Sequence, residues 1–238
     1  MHKDFTLQIY RELLKTLQDN GYKIITVREC FELHEKQSEQ LCVLRHDVDR
    51  APRNALNMAE IEMGMGICST YYFRAKSRVF RPSIVREIAD MGHEIGYHYE
   101  VVDRGRGGIR KAFSFFTNDL IKLREVAPPV ITCAAHGNPL TKYNNRKFWD
   151  SFQLWQFGLI GEAENIPVDY FSDTGRWNRK FNLKDKAYDY GNYSIEDLMN
   201  EESAIYLNIH PERWNDGLRW YWQWLFDFGC NQVKRLVK

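Results

Sequence analysis

The sequence predicts an α/β fold in which parallel strands close, or nearly close, into a barrel. Three observations carry this. Short runs rich in β-branched and aromatic residues alternate with amphipathic stretches of helical spacing. The alternation repeats often enough to supply seven or eight strands, which favours a barrel over an open sheet. Polar residues also collect where the predicted strands end, the place where such barrels carry their chemistry.

The elements follow in order. Phe5, Ile9, Leu13, Leu14 and Leu17 share one face of a helix over residues 5–19, and Asn20-Gly21 ends it. Tyr22–Val27 and residues 41–49 read as the first two strands. After Pro52, the spacing of Ala55, Met58, Ala59 and Ile61 marks a helix that Gly64 and Gly66 close. Cys68–Arg74 is a strand, 81–91 a helix with Pro82 in its first turn, and Glu94–Glu100 a strand. Residues 108–126 form a helix broken by Pro128-Pro129, and Val130–Ala135 a strand. Residues 143–157 read as helical, and Gly158–Glu162, Val168–Ser172 and Ala204–Ile209 as strands. Residues 215–236 form a last helix with Trp220, Trp222, Trp224, Phe226 and Phe228. No linker or repeat divides the chain, so 1–238 is expected to be one domain.

Composition narrows the function. Thirty-three Lys and Arg against 32 Asp and Glu leave no electrostatic footprint for nucleic acid or an anionic membrane. No stretch approaches 18 apolar residues, so no transmembrane segment is expected. The N-terminal segment carries acids and lacks an apolar core, unlike a signal peptide. The five cysteines are scattered without a CxxC pair and read as free thiols in a reducing compartment, so a cytoplasmic location is expected. The aromatic terminal helix is expected to pack on the barrel or on a second copy, as in a homo-oligomer.

The stretch VLRHDVDRAP, residues 43–52, is where chemistry first shows. An apolar strand runs into two arginines, a histidine and two aspartates, and charges are rarely buried unless paired or bound to metal. Alternation along the strand puts Arg45, Asp47 and Asp49 on one face and His46 and Val48 on the other. Two carboxylates some ~6–7 Å apart at Cα would repel when both are ionised. A cation at one of them removes that conflict and leaves the other as a base. Other strand ends carry His98-Tyr99-Glu100, His136-Gly137-Asn138, Asp173 to Trp177, and His210 to Trp214.

HDVD at 46–49, GHEIGYH at 92–98 and LNIHP at 207–211 together resemble the polysaccharide deacetylase family, also called carbohydrate esterase family 4 or the NodB-homology domain. The resemblance spans about residues 41–214. It implies a distorted (β/α) barrel of about seven parallel strands and a hydrolase that removes N-acetyl groups from sugars with one divalent metal, zinc being expected. On that resemblance Asp47 is the catalytic base, Asp49 and His98 are metal ligands, and His210 is the general acid. The family's second-motif histidine falls here on Val102, which has no ligand atom. Zinc's preference for nitrogen and its need for three protein ligands point to His136 as the replacement. Glu100, Asp103 and His93 remain the alternatives.

The family's third motif supplies an arginine that orients the base, and HGNP at 136–139 has none, so Arg45 or Arg176 would serve. Asp173 and Trp177 resemble the fourth motif that lines the pocket. Trp177 and Trp214 offer faces for a sugar ring, and Arg176 and Arg213 offer charge for a phosphate or carboxylate. The implied substrate is an N-acetyl sugar, nucleotide- or lipid-linked. Two other readings stay open: a different amide or acyl substrate, or a non-catalytic sugar-binding protein on the same fold.

Overall fold

In the computed structural model, residues 5–33, 40–138, 141–168, 170–173 and 204–216 are described. They contain helices α1 (Leu7–Asp19), α2 (Val27–Glu32), α3 (Pro52–Gly64), α4 (Pro82–Asp90), α5 (Val101–Arg104) and α6 (Ile109–Val126). The strands are β1 (Lys23–Ile25), β2 (Leu41–Val48), β3 (Thr70–Phe73), β4 (Glu94–Tyr99), β5 (Thr132–Ala135), β6 (Gly161–Glu162), β7 (Tyr170–Ser172) and β8 (Ala204–Ile209). Every pairing is parallel, in the order β6-β5-β4-β3-β2-β8-β7. β1 pairs the first half of the β2 edge (Ile25 opposite Val43), and β3 takes the second half (Asp47 opposite Tyr72). Among the described residues β6 and β7 do not pair, so the barrel is open there, a distorted α/β barrel as expected. No described helix is long and apolar enough to cross a membrane.

The helices begin where local chemistry favours them. Thr6 caps α1 by accepting from the Ile9 N–H, and Tyr10, Leu13, Leu14 and Leu17 form its buried face. Pro52 and Pro82 stand at the starts of α3 and α4, where a missing N–H costs nothing. The expected strand Tyr22–Val27 is shorter in the structure, and its last residue, Val27, opens α2. That segment is a helix because Thr26 and Glu29 make a reciprocal capping box. The predicted helix over 143–157 is instead two 3₁₀ turns, Asn145–Asp150 and Leu154–Phe157. There Phe148, Trp149, Phe152 and Phe157 pack as one aromatic cluster with Phe116, a contact set that outweighs a single helical stripe. The aromatic helix expected over 215–236 lies outside the described residues apart from Asn215 and Asp216.

Strand alternation sorts side chains into two environments. Cys42, Leu44 and His46 point outward to α1 and α3, while Val43, Arg45 and Asp47 point into the barrel. Tyr72 fills the barrel opposite Gly96, where an added Cβ would stand 2.1 Å from its ring. Below it Glu94 binds Thr70, Thr132 and the Arg28 N–H, pinning α2 under the barrel. Cys30, Cys42, Cys68 and Cys133 are free thiols.

Outside the barrel a fully buried carboxylate, Glu62 of α3, gathers its own network. It accepts from His46 (2.8 Å), Ser69 (2.6 Å), Tyr71 (3.0 Å) and Tyr10. Burial pushes the Glu62 value up, but His46, His93 and Ser69 outweigh it and leave it below the ordinary carboxylate range. A lowered value stabilises the fold above the ordinary carboxylate value of 4.5 and loses that contribution as pH falls through the folded-state value. E62Q is therefore expected to cost about 2–3 kcal/mol at pH 7 and to weaken the acid dependence of stability below about pH 4.5, read from urea midpoints across pH. G96A is expected to cost about 1–3 kcal/mol by displacing the Tyr72 ring; an unchanged urea midpoint would contradict this packing.

Candidate metal and hydrolytic site

The carboxyl ends of β2, β4, β5 and β8 bring the charged residues to one rim. Past the end of β2, the Asp49 N–H bonds the Asp47 carbonyl (3.1 Å), and Ala51 takes a left-handed conformation (φ 50°). That conformation is uncommon for a residue with a Cβ, and it marks the turn carrying Asp49 to the rim. Asp49 Oδ1 lies 3.3 Å from His98 Nε2 of β4 and 3.0 Å from His136 Nδ1, one residue beyond β5. The three donor atoms all lie within 4.8 Å of one another.

The donor set fits a metal ion on two observations. His98 Nδ1 stands 3.1 Å from the Ala134 carbonyl, which only accepts, so that nitrogen carries the proton. In the neutral ring Nε2 then aims a lone pair at Asp49 Oδ1, itself buried without a well-aligned hydrogen bond. Two acceptors facing each other require a cation or a proton between them, and a backbone-anchored imidazole is the usual setting of a metal ligand. The spacing also fits: donors about 2.0–2.2 Å from a tetrahedral zinc stand roughly 3.3–3.6 Å apart. Burial works against the charged forms of Asp49 and His98, yet their mutual attraction, with His136 and Asp47, holds Asp49 well below its ordinary range and raises His98.

Asp47 stands beside this triad, its Oδ2 3.8 Å from His98 Nε2 and 3.9 Å from His210 Nε2. Arg45 grips it with two bonds, Nε to Oδ1 at 2.9 Å and Nη2 to Oδ2 at 2.8 Å, and Asn208 donates to Oδ2 at 2.9 Å. Burial raises the Asp47 value, but Arg45, His98 and His210 overcome it and leave the carboxyl far below its ordinary range. Arg45 in turn binds Glu164 (2.9 Å) and Tyr206 (2.8 Å). Sequence reading placed Arg45 here but missed Glu164, Tyr206 and Asn208. Asn208 stands two residues before His210 on β8, and that period was the signal that could have found it.

His210 is held from behind. Asp173 accepts from its Nδ1 at 2.7 Å and its backbone N–H at 2.9 Å. Burial lowers His210, but Asp173 foremost and then Asp47 push it up to about 9. Trp214, expected to offer a face to a sugar ring, is only 1% exposed. It packs edge-on against Phe5 and Tyr10 and donates its Nε1–H to Asp173 at 2.9 Å, so it braces the carboxylate that holds His210. Arg213 lies in the same turn, and its charge acts on Asp173. Arg176 and Trp177 lie outside the described residues.

The alternatives to His136 are engaged elsewhere. Glu100 pairs with Arg74 (2.5 Å) and Lys76 (2.9 Å), and Asp103 accepts from Asn138 (2.6 Å). His93 faces outward; its Nδ1 accepts from the Ser69 N–H and its Nε2–H donates to the Ala59 carbonyl. Glu212, not singled out in the sequence, lies buried beside the rim with its value pushed up to about 7 by burial and by Asp49.

No protein-family model matches the sequence, and no curated protein does. Among solved structures the chain is similar to a protein of Mycobacterium smegmatis described as a polysaccharide deacetylase. The identity is 14%, over 75% of this chain and 79% of that one, with a TM-score of 0.45. It is also similar to a family 4 carbohydrate esterase of Bacillus anthracis, at 10% identity over 93% of this chain and 86% of that one, with a TM-score of 0.43.

The Asp173–His210 contact makes a prediction with a definite sign. Because the folded value of about 9 exceeds the ordinary 6.5, protonated His210 stabilises the fold fully below about pH 6.5 and loses this as pH rises through about 9. D173N is expected to bring His210 down by about 1–2 units, measured by NMR titration of the ring carbon-bound protons. An unmoved titration would remove Asp173 from this role.

Proposed function

We propose that this chain is a metal-dependent amide hydrolase that removes an N-acetyl group from a sugar or a sugar-containing precursor. One observation carries the reading: three metal-capable donors converge on a point flanked by a fixed carboxylate, Asp47, and a carboxylate-held imidazole, His210. The motif resemblance of HDVD, GHEIGYH and LNIHP adds the acetylated sugar as substrate class.

Asp49, His98 and His136 would hold the ion, and the two imidazoles favour zinc. A bound divalent ion supplies polarisation of the acyl carbonyl and acidification of a water. Asp47, kept anionic by its Arg45 pair, would accept the water proton. Its lone pairs are heavily engaged, so its contribution lies more in placement than in basicity. His210 would donate its Nε2 proton to the leaving nitrogen, a step an amide requires because a free amide anion is too poor a leaving group. Asp173 keeps the opposite ring nitrogen occupied, so Nε2 is the nitrogen that faces Asp47. The hydroxyl-rich body of the substrate, nucleotide- or lipid-linked, would extend over the rim.

The test begins with elemental analysis of purified protein offered zinc, cobalt or nickel. Wild type is expected to hold about one ion per chain, and D49A, H98A and H136A to hold none. Acetate release from N-acetylglucosamine oligomers is then expected to fall about 10²–10⁴-fold in D47N and H210A with the metal retained. A wild-type protein that stays empty of all three metals would sink the hydrolase reading and favour a sugar-binding protein. Metal-loaded protein that cleaves other acyl compounds but no N-acetyl sugar would move the substrate class instead.

A further inference from the structure

Arg74 stands just past the end of β3, between the strands that supply Asp49 and His98. Its guanidinium is divided between two acidic residues. Nη2 donates to Glu100 Oε2 at 2.5 Å, while Nη1 donates to the Asp49 carbonyl oxygen at 3.4 Å. Nη1 also lies 3.8 Å from Asp49 Oδ1, the oxygen that faces His98 and His136. That is too far for a hydrogen bond, and Oδ1 is left without a well-aligned one.

This division bears directly on the ion. The guanidinium is a permanent cation. A charge-assisted bond to Oδ1, at about 2.8 Å, needs it to move only about 1 Å closer. An oxygen engaged in that way would be a poorer donor to a metal.

Glu100 is the group that competes for Arg74. It stands two residues beyond His98 and is 3% exposed. Its Oε2 also takes the half-exposed Lys76 at 2.9 Å, while its Oε1 has no hydrogen-bond partner. A buried carboxylate with one oxygen unmet contributes little to stability, so its place beside the rim has another reason.

We propose that Glu100 is a positioning residue for the metal, one that holds Arg74 off Asp49 and so leaves Oδ1 open to the ion. The inference rests on the metal site of the hydrolase reading and deepens it. Removing the Glu100 charge has two effects of the same sign. The freed guanidinium closes on Asp49 and competes with the ion, and the rim loses a negative charge that attracts the ion. Partners behind metal ligands commonly set affinity by about 10–100-fold.

The experiment is a calorimetric zinc titration of wild type, E100Q, R74M and R74M/E100Q, with folding checked by circular dichroism. E100Q is expected to bind zinc at least tenfold more weakly than wild type. The gain from R74M is expected to be at least threefold larger in the E100Q background than in wild type, where the guanidinium is already held away. Undiminished affinity in E100Q, or equal gains in the two backgrounds, would overturn the inference. Equal gains are the result expected if Glu100 were itself a ligand, because removing Arg74 cannot replace a lost donor atom. Wild type that takes up no zinc would sink the hydrolase reading together with this inference. Zinc binding that follows the expected pattern without any acetate release would leave the tether standing and fell only the deacetylase reading. If E100Q does not fold, E100D, which withdraws the carboxylate by one methylene, takes its place in the same comparison.

Discussion

The guanidinium of Arg45 is the constraint around which the barrel and its rim are arranged. An arginine buried inside a barrel is tolerated only when carboxylates and hydroxyls satisfy it. Here those partners come from three places: Asp47 two residues along β2, Tyr206 on the neighbouring β8, and Glu164 just beyond β6. Tyr72 on β3 adds its ring face, 5.4 Å from the guanidinium. The four hydrogen bonds that satisfy Arg45 inside the barrel, with the Tyr72 ring, therefore tie together strands on both sides of β2 and reach toward the open edge. Their product at the rim is an Asp47 carboxylate with one orientation.

Pleating explains why one strand serves two unrelated polar systems. His46 and Asp47 are neighbours in sequence, yet His46 joins Glu62, Tyr10 and Tyr71 between the sheet and the helices, while Asp47 joins Arg45 and Asn208 inside. The same rule separates His93 from His98 on β4: one is a satisfied core histidine bonded to backbone, the other points at Asp49. A histidine in this chain is thus defined by the face it occupies. The outer network holds α1 and α3 on the sheet, and the inner one organises the rim.

The rim itself is assembled from short-range and long-range parts. Asp49 is delivered by a local turn, and His98 by strand register and a carbonyl on β5. His210 depends on Asp173, which Trp214 braces from a turn packed against α1. Each group that would move a proton is therefore backed by another that fixes its ring or carboxylate, the usual requirement for a site held to catalytic tolerance.

Much of this was legible in the residues alone. Apolar runs rich in β-branched and aromatic residues located all eight strands, since most of them are buried along nearly their whole length, β1 with its exposed Lys23 being the exception. Period-two alternation correctly put Arg45 with Asp47 and set His93 apart from His98. The choice of His136 over Glu100 and Asp103 came from the chemistry of nitrogen donors, and the fold brings His136 to 3.0 Å from Asp49. Other features had no local signature. The 143–157 region became 3₁₀ turns because aromatic rings from distant segments fix its shape, and no window of sequence contains those rings. Trp214 lost its expected sugar-facing role to burial, which only the packing of α1 against the last turn decides. Glu164, Tyr206 and Asn208 became partners of the Arg45–Asp47 pair through closure of the barrel. Contacts between residues more than a hundred positions apart depend on where the whole chain places them, so tertiary structure alone could name them.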